Sequence, residues 1–121
     1  MLVKATREGL IGDITFTGWK INTVVPFVAL PSKAAVRLWV IVVNPLNNKS
    51  IKALVLDIGP WNEDDDEYVF GGARPQAESG VDKSGRPTNK AGIDLGEAVW
   101  KALDMKDNTN VDWKFSGQDW I

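Results

Sequence analysis

The stretch from Val55 to Leu103 opens with VLDIGPW (residues 55–61) and closes with GIDLGEAVWKAL (residues 92–103), with a long polar excursion between them. The first piece reads as an apolar strand that ends in an acid and a Gly-Pro turn. The second sets an acid at the mouth of an amphipathic helix, because Leu95, Ala98, Val99, Ala102 and Leu103 recur at helical spacing. Asp57 and Asp94 therefore bracket the excursion. If the strand end and the helix start lie side by side, both carboxylates face one groove roofed by the loop.

Working outward, VRLWVIVV at residues 36–43 is apolar on both faces and β-branched, which predicts a central strand. After the turn at Asn44–Lys49, Ile51 to Asp57 completes a hairpin with it. Period-two alternation puts Ile51, Ala53, Val55 and Asp57 on one face, so Asp57 is the polar end of an apolar stripe. Leu2 to Thr6 is a first strand, with Arg7, Glu8 and Gly9 as a turn. Gly9, Gly12 and Gly18 punctuate a loop. Ile21 to Leu30 carries β-branched residues beside Pro26 and Pro31, which predicts one or two short edge strands. The segment from Trp61 to Ala91 has no sustained periodicity, and so long a connection is usually functional or mobile. The helix should stop near Asp104, and Val111, Trp113 and Phe115 alternate as a final strand. Strands interrupted by one short helix, in a single domain spanning residues 1–121, predict an all-β barrel.

Composition removes several functions. The net charge of −2 comes from well-mixed signs, with no basic stripe to neutralise a phosphate backbone, so nucleic acid is not an expected partner. Without cysteine or histidine there is no thiolate or imidazole ligand, and acid–base work falls to carboxylates. No cofactor and no metal are expected. No run is long and apolar enough for a membrane span, and MLVKATREGLIG lacks the apolar core of a signal peptide.

Taken together, ALP at residues 29–31, VVN ending at Asn44, DIGPW at 57–61, GIDLGEAVWKAL at 92–103 and DM at 104–105 resemble, in order and spacing, the double-psi β-barrel of rare lipoprotein A. The barrel domain of expansins is similar, and more distantly so are barrel endoglucanases and a membrane-bound lytic transglycosylase. The resemblance covers roughly residues 4 to 116 and implies a six-stranded double-psi barrel with one short helix and a long lid-like loop. It implies a polysaccharide partner, β-1,4-linked and peptidoglycan first among them, met at the cell wall or periplasm. It places Asp94 on the catalytic aspartate of the lytic enzymes and Asp57 on the acid beside it. Three features depart from the pattern, one of them the Trp61 to Ala91 segment, which is much longer than the usual connection. The neighbourhood where the lytic enzymes carry a histidine is Pro26, Phe27 and Val28 here, and Gly96 stands where a serine is usual.

Cleaving a glycosidic bond needs a carboxyl that is still protonated near neutral pH. Asp94 is the candidate acid, although Asp94-Leu95-Gly96-Glu97 also fits a capping box in which Asp94 only caps the helix. Asp57 is its charge partner or a ligand of the turn amides. Glu8, near the end of the first strand, is the third candidate, as a base or as an exposed turn residue. Trp61, Tyr68 and Phe70 are candidate sugar-stacking rings, or a loop packed on its own small core. Arg74, Arg86 and Asn89 either grip polar substituents of the substrate or bond within the loop. Trp39, Trp100 and Trp113 fall in strand or helix patterns and are expected in the core, while Trp19 and Trp120 are undecided. The acidic run at residues 63–67 reads as a solvated face more readily than a calcium loop. Besides an enzyme, a non-catalytic wall-binding module and a phage or secretion structural component fit the same residues.

Overall fold

The computed structural model describes residues 1–9 and 11–117. Six strands, β1 (Leu2–Arg7), β2 (Phe27–Leu30), β3 (Trp39–Asn44), β4 (Lys49–Ile58), β5 (Ile93–Leu95) and β6 (Asn110–Phe115), close into a barrel in the order β1-β5-β2-β4-β3-β6. β1 with β5 and β2 with β4 pair in parallel, and the other neighbours are antiparallel. Parallel neighbours need a crossover, and here β5 returns from far along the chain to lie between β1 and β2. The result is the all-β, double-psi barrel.

Alternation fills the barrel. Val3 and Ala5 of β1, Val28 and Leu30 of β2, Val40 and Val42 of β3, Ala53 and Val55 of β4, Ile93 and Leu95 of β5, and Val111 of β6 form one core. Among the described residues there are two α-helices, one more than the sequence predicts: α1 (Asp66–Val69) and α2 (Glu97–Ala102). Val99, Trp100 and Leu103 bring the α2 region into the core. Asn44 and Asn47 donate to the Leu103 carbonyl at 3.0 Å each and so satisfy the end of that helix.

β2 corrects the expected edge strand. It is central, lying between β4 and β5 with all four residues buried. Pro26 and Pro31 fall just outside it, so their missing amides remove nothing from the ladder. Phe27 points away from the barrel interior into a second small core with Ile21 and Leu56, on which Trp19 and Leu54 pack.

The segment after β4 is folded, not structureless. It contains α1 and a 3₁₀ turn at Gln76–Ser79. Tyr68 ties it to the barrel by donating to the Gly92 carbonyl at 3.0 Å and accepting from the Trp113 indole at 2.7 Å. Buried Asp65 accepts the Gln76 amide at 2.8 Å, and buried Asp82 accepts the amides of Ser84 and Arg86. The acidic run is thus only partly a solvated face: Asp65 is buried, Asp66 accepts from Ser32 and Asp64 pairs with Lys83. Among the described residues no group of three or more acids has the geometry to hold a metal ion. Trp100 and Trp113 are core residues, as the helix and strand patterns predict, but Trp39 is 48% exposed. Its neighbours Val40 and Val42 take the inward phase of β3, which leaves Trp39 outside beneath the Lys52 ammonium, 5.1 Å from the ring. Trp120 lies outside the described residues.

The glycine at position 96 has a packing reason. A Cβ there would lie 2.3 Å from Phe27 Cε1 and 2.4 Å from Cδ1. Gly96→Ser is therefore expected to cost about 1–3 kcal/mol by overpacking, read as a lower urea midpoint at unchanged slope. A variant as stable as the parent would mean that Phe27 can move aside freely.

Candidate active site

The register of three ladders assembles the acids. Asp94 on β5 pairs with Thr6 on β1 and with Ala29 on β2, and Ala29 pairs in turn with Asp57 on β4. Cross-strand partners share a face, so Thr6, Asp94, Ala29 and Asp57 form one row across four strands. Ala29 lies between Val28 and Leu30, which point inward, so the row lies on the outer surface of the barrel. Asp57 and Asp94 are two strand spacings apart, roughly 9–10 Å between Cα atoms.

Asp57 reaches this row through an irregularity. Val28 pairs with Val55, but Ala29 pairs with Asp57, so Leu56 is the extra residue of a bulge. Strict alternation would have turned Asp57 into the core beside Val55, as the sequence pattern predicts. The bulge shifts the phase and turns it out, while Leu56 packs into the small core with Phe27. Asp57 Oδ1 then accepts the amides of Ile58 and Phe16, both at 3.0 Å.

Asp94 is not a helix cap. It sits within β5, the N-cap of α2 is Gly96, and no side chain caps that end. Glu97, the would-be partner of a capping box, takes a bidentate ion pair from Arg7 at 2.6 and 2.7 Å. Asp94 instead accepts a hydrogen bond from the Thr6 hydroxyl, and an ideal Cβ on Gly59 would be 3.9 Å from its Oδ2. Burial and the nearby Asp57 charge push its pKa up to about 6, against the opposing pull of the Thr6 hydroxyl.

Glu8 joins the two aspartates. Two residues beyond Thr6 it keeps the outward phase, and its amide donates to the Leu95 carbonyl at 2.8 Å, extending the ladder past the strand end. It is half-buried, not an exposed turn residue. Its Oε2 is the one buried side-chain polar atom among the described residues with no hydrogen-bond partner. Burial first, then the shared contact with the Asp57 carboxyl and the charges of Asp57 and Asp94, push its pKa up to about 9. Two carboxyls in contact with no donor between them are stable only when they share a proton. Glu8 therefore holds its proton well above the usual carboxylate range.

A hairpin covers one end of the row. Ile14 bridges Lys20, the Thr15 amide donates to the Trp19 carbonyl at 2.9 Å, and Gly18 closes the turn at a φ of 82°. Thr17 donates to the Leu56 carbonyl at 3.1 Å. Trp19 and Ile21 pin the hairpin onto the small core.

The proposed substrate-binding residues divide. Trp61, Arg86 and Asn89 come together: the Trp61 indole donates to Asn89 at 2.9 Å and Arg86 donates to the Trp61 carbonyl at 3.2 Å. Trp61 and Arg86 line an open cleft of about 300 Å³ with Lys33, Asp64 and Lys83. Tyr68 does not belong to any groove, since it is 3% exposed and hydrogen-bonded within the core. Phe70 stacks on Phe115 at 5.2 Å, against the β6 side of the barrel and away from the acid row. Arg74 forms a bidentate pair with Glu78 that holds the loop. Thr6, Ala29 and Phe16 are the members that sequence reading missed. The period-two step from Thr6 to Glu8 was a usable signal; the positions of Ala29 and Phe16 depend on long-range pairing.

The chain belongs to the family described as Domain of unknown function (DUF8814), whose model matches residues 1–114. No curated protein matches its sequence. Among solved structures it is similar to Streptomyces papain inhibitor (SPI), at 20% identity and a TM-score of 0.54, over 95% of this chain and 92% of that one. A likeness at that identity concerns the fold alone.

Proposed function

We propose that this member of the family binds and cleaves a β-1,4-linked cell-wall glycan, with peptidoglycan as the leading substrate. One observation carries the reading: three carboxyls, from β4, from β5 and from the residue just past β1, share the outer face of the barrel, and two of them keep protons well above the usual carboxylate range. In this reading Asp94 delivers a proton to the leaving oxygen. Its shifted pKa leaves an appreciable protonated fraction near neutral pH, which is what a poor leaving group demands. Asp57, held by two backbone amides and by the Glu8 proton, is the carboxylate that would activate water. The two-strand separation of the aspartates is compatible with the roughly 6.5–9.5 Å between carboxyls that an inverting mechanism uses. The resemblance to rare lipoprotein A supports the same acid. Purified sacculi incubated with the protein should release soluble muropeptides; intact sacculi after prolonged incubation would refute cleavage.

A second reading, an expansin-like module that grips wall polymer without cutting it, is favoured by the partial burial of the acids beneath the hairpin. It expects retention on insoluble wall material with no soluble product.

A further inference from the structure

We infer that Phe16, at the tip of the hairpin, is a sugar-stacking platform that seats one ring of the glycan directly beside the acid row. The inference rests on the glycan reading and adds a subsite to it. Phe16 is 59% exposed, although its backbone is firmly held. Its amide donates to Asp57, its neighbour Thr17 donates to the Leu56 carbonyl, and Thr15 and Thr17 are joined through their hydroxyls at 2.8 Å. The backbone that carries the ring is thus anchored on the Asp57 carboxylate, and the ring is turned to solvent.

Ile14, at 63% exposure, and Ile11, at 52%, extend the apolar surface along the same hairpin. The occupant must suit both an apolar ring and a neighbouring group of carboxyls. An anionic ligand would be repelled by Asp57, and a purely apolar one would leave these acids unsatisfied. A neutral pyranose meets both demands, with an apolar face for Phe16 and hydroxyls for the acids. Trp61 follows the Gly59-Pro60 turn that passes Asp94, with its indole held by Asn89.

The test is retention on insoluble sacculi, measured as a binding isotherm in an Asp94→Asn background so that the polymer stays intact. Phe16→Ala should weaken binding about three- to tenfold, the worth of one aromatic contact, while Phe16→Tyr restores it. Thermal unfolding of each variant should stay close to the parent, because most of the residue lies in solvent. Equal affinity of Phe16→Ala and its parent, with Trp61→Ala weakened, would overturn the platform and leave the glycan reading standing. Failure of the parent to bind sacculi at all would remove both.

Discussion

Asp94→Asn is expected to lower the rate of muropeptide release from sacculi by at least about a hundredfold, the lower end of what a positioned general acid contributes. The amide cannot donate a proton in the required way, yet its oxygen can still accept from the Thr6 hydroxyl, so β5 should keep its register. Asparagine also removes one of the two negative charges that help hold the Glu8 proton. The variant should therefore bind wall polymer as the parent does while its product yield falls. Equal release by both proteins would end the role given to Asp94. Loss of binding together with loss of folding would show up in far-UV circular dichroism and is the reason to measure both.

Glu8→Gln is expected to stabilise the protein. In the folded chain the Glu8 pKa is about 9, against an ordinary value of 4.5, so between those limits the folded state holds a proton that the unfolded state has released. Stability must then fall as pH rises through this window, and the penalty vanishes below about 4.5, where both states are protonated. Asp94 adds a smaller contribution of the same sign between about 4 and about 6. Glutamine presents an amide donor to Asp57 without a proton to lose. With Glu8 partly exposed and its charge partly screened, the gain at pH 8 should be on the order of 1–3 kcal/mol, or roughly 4 °C in Tm per kcal/mol. The gain should shrink towards zero at pH 4. A variant less stable than the parent at pH 8, or equally stable at every pH, would mean that the Glu8 carboxyl is ionised like a surface acid.

Much of the barrel is legible in the residues because alternation survives translation into strands. Ala53 and Val55 of β4, and Val111 and Trp113 of β6, read as alternating positions and are inward, whereas Leu95 reads as the first residue of the helix and is instead an inward position of β5. What escaped were features decided by distant pairing. Phe27–Leu30 looks like an edge segment between two prolines, yet it is buried because β4 and β5 close on both sides of it. Asp57 reads as continuing the apolar stripe of β4, and only the bulge at Leu56, set by the pairing with β2, turns it outward. Asp94 and Glu97 satisfy the local rule for a capping box, but Arg7 claims Glu97 from 90 positions away and β5 runs through Asp94. The juxtaposition of Asp57 and Asp94 was legible from their places in the chain. The entry of Glu8 into the same site was only half legible, because it depends on the pairing of β1 with β5, which brings Glu8 onto the Leu95 carbonyl.

The most direct measurement is a carboxyl-detected ¹³C titration of Glu8, Asp57 and Asp94 between pH 2 and 10. A shared outer-face site should show Glu8 keeping its proton until about pH 9 and Asp94 titrating near 6, with each curve altered when Asp57 is replaced by asparagine. Glu8 and Asp94 curves with midpoints near 4, indifferent to that replacement, would contradict it.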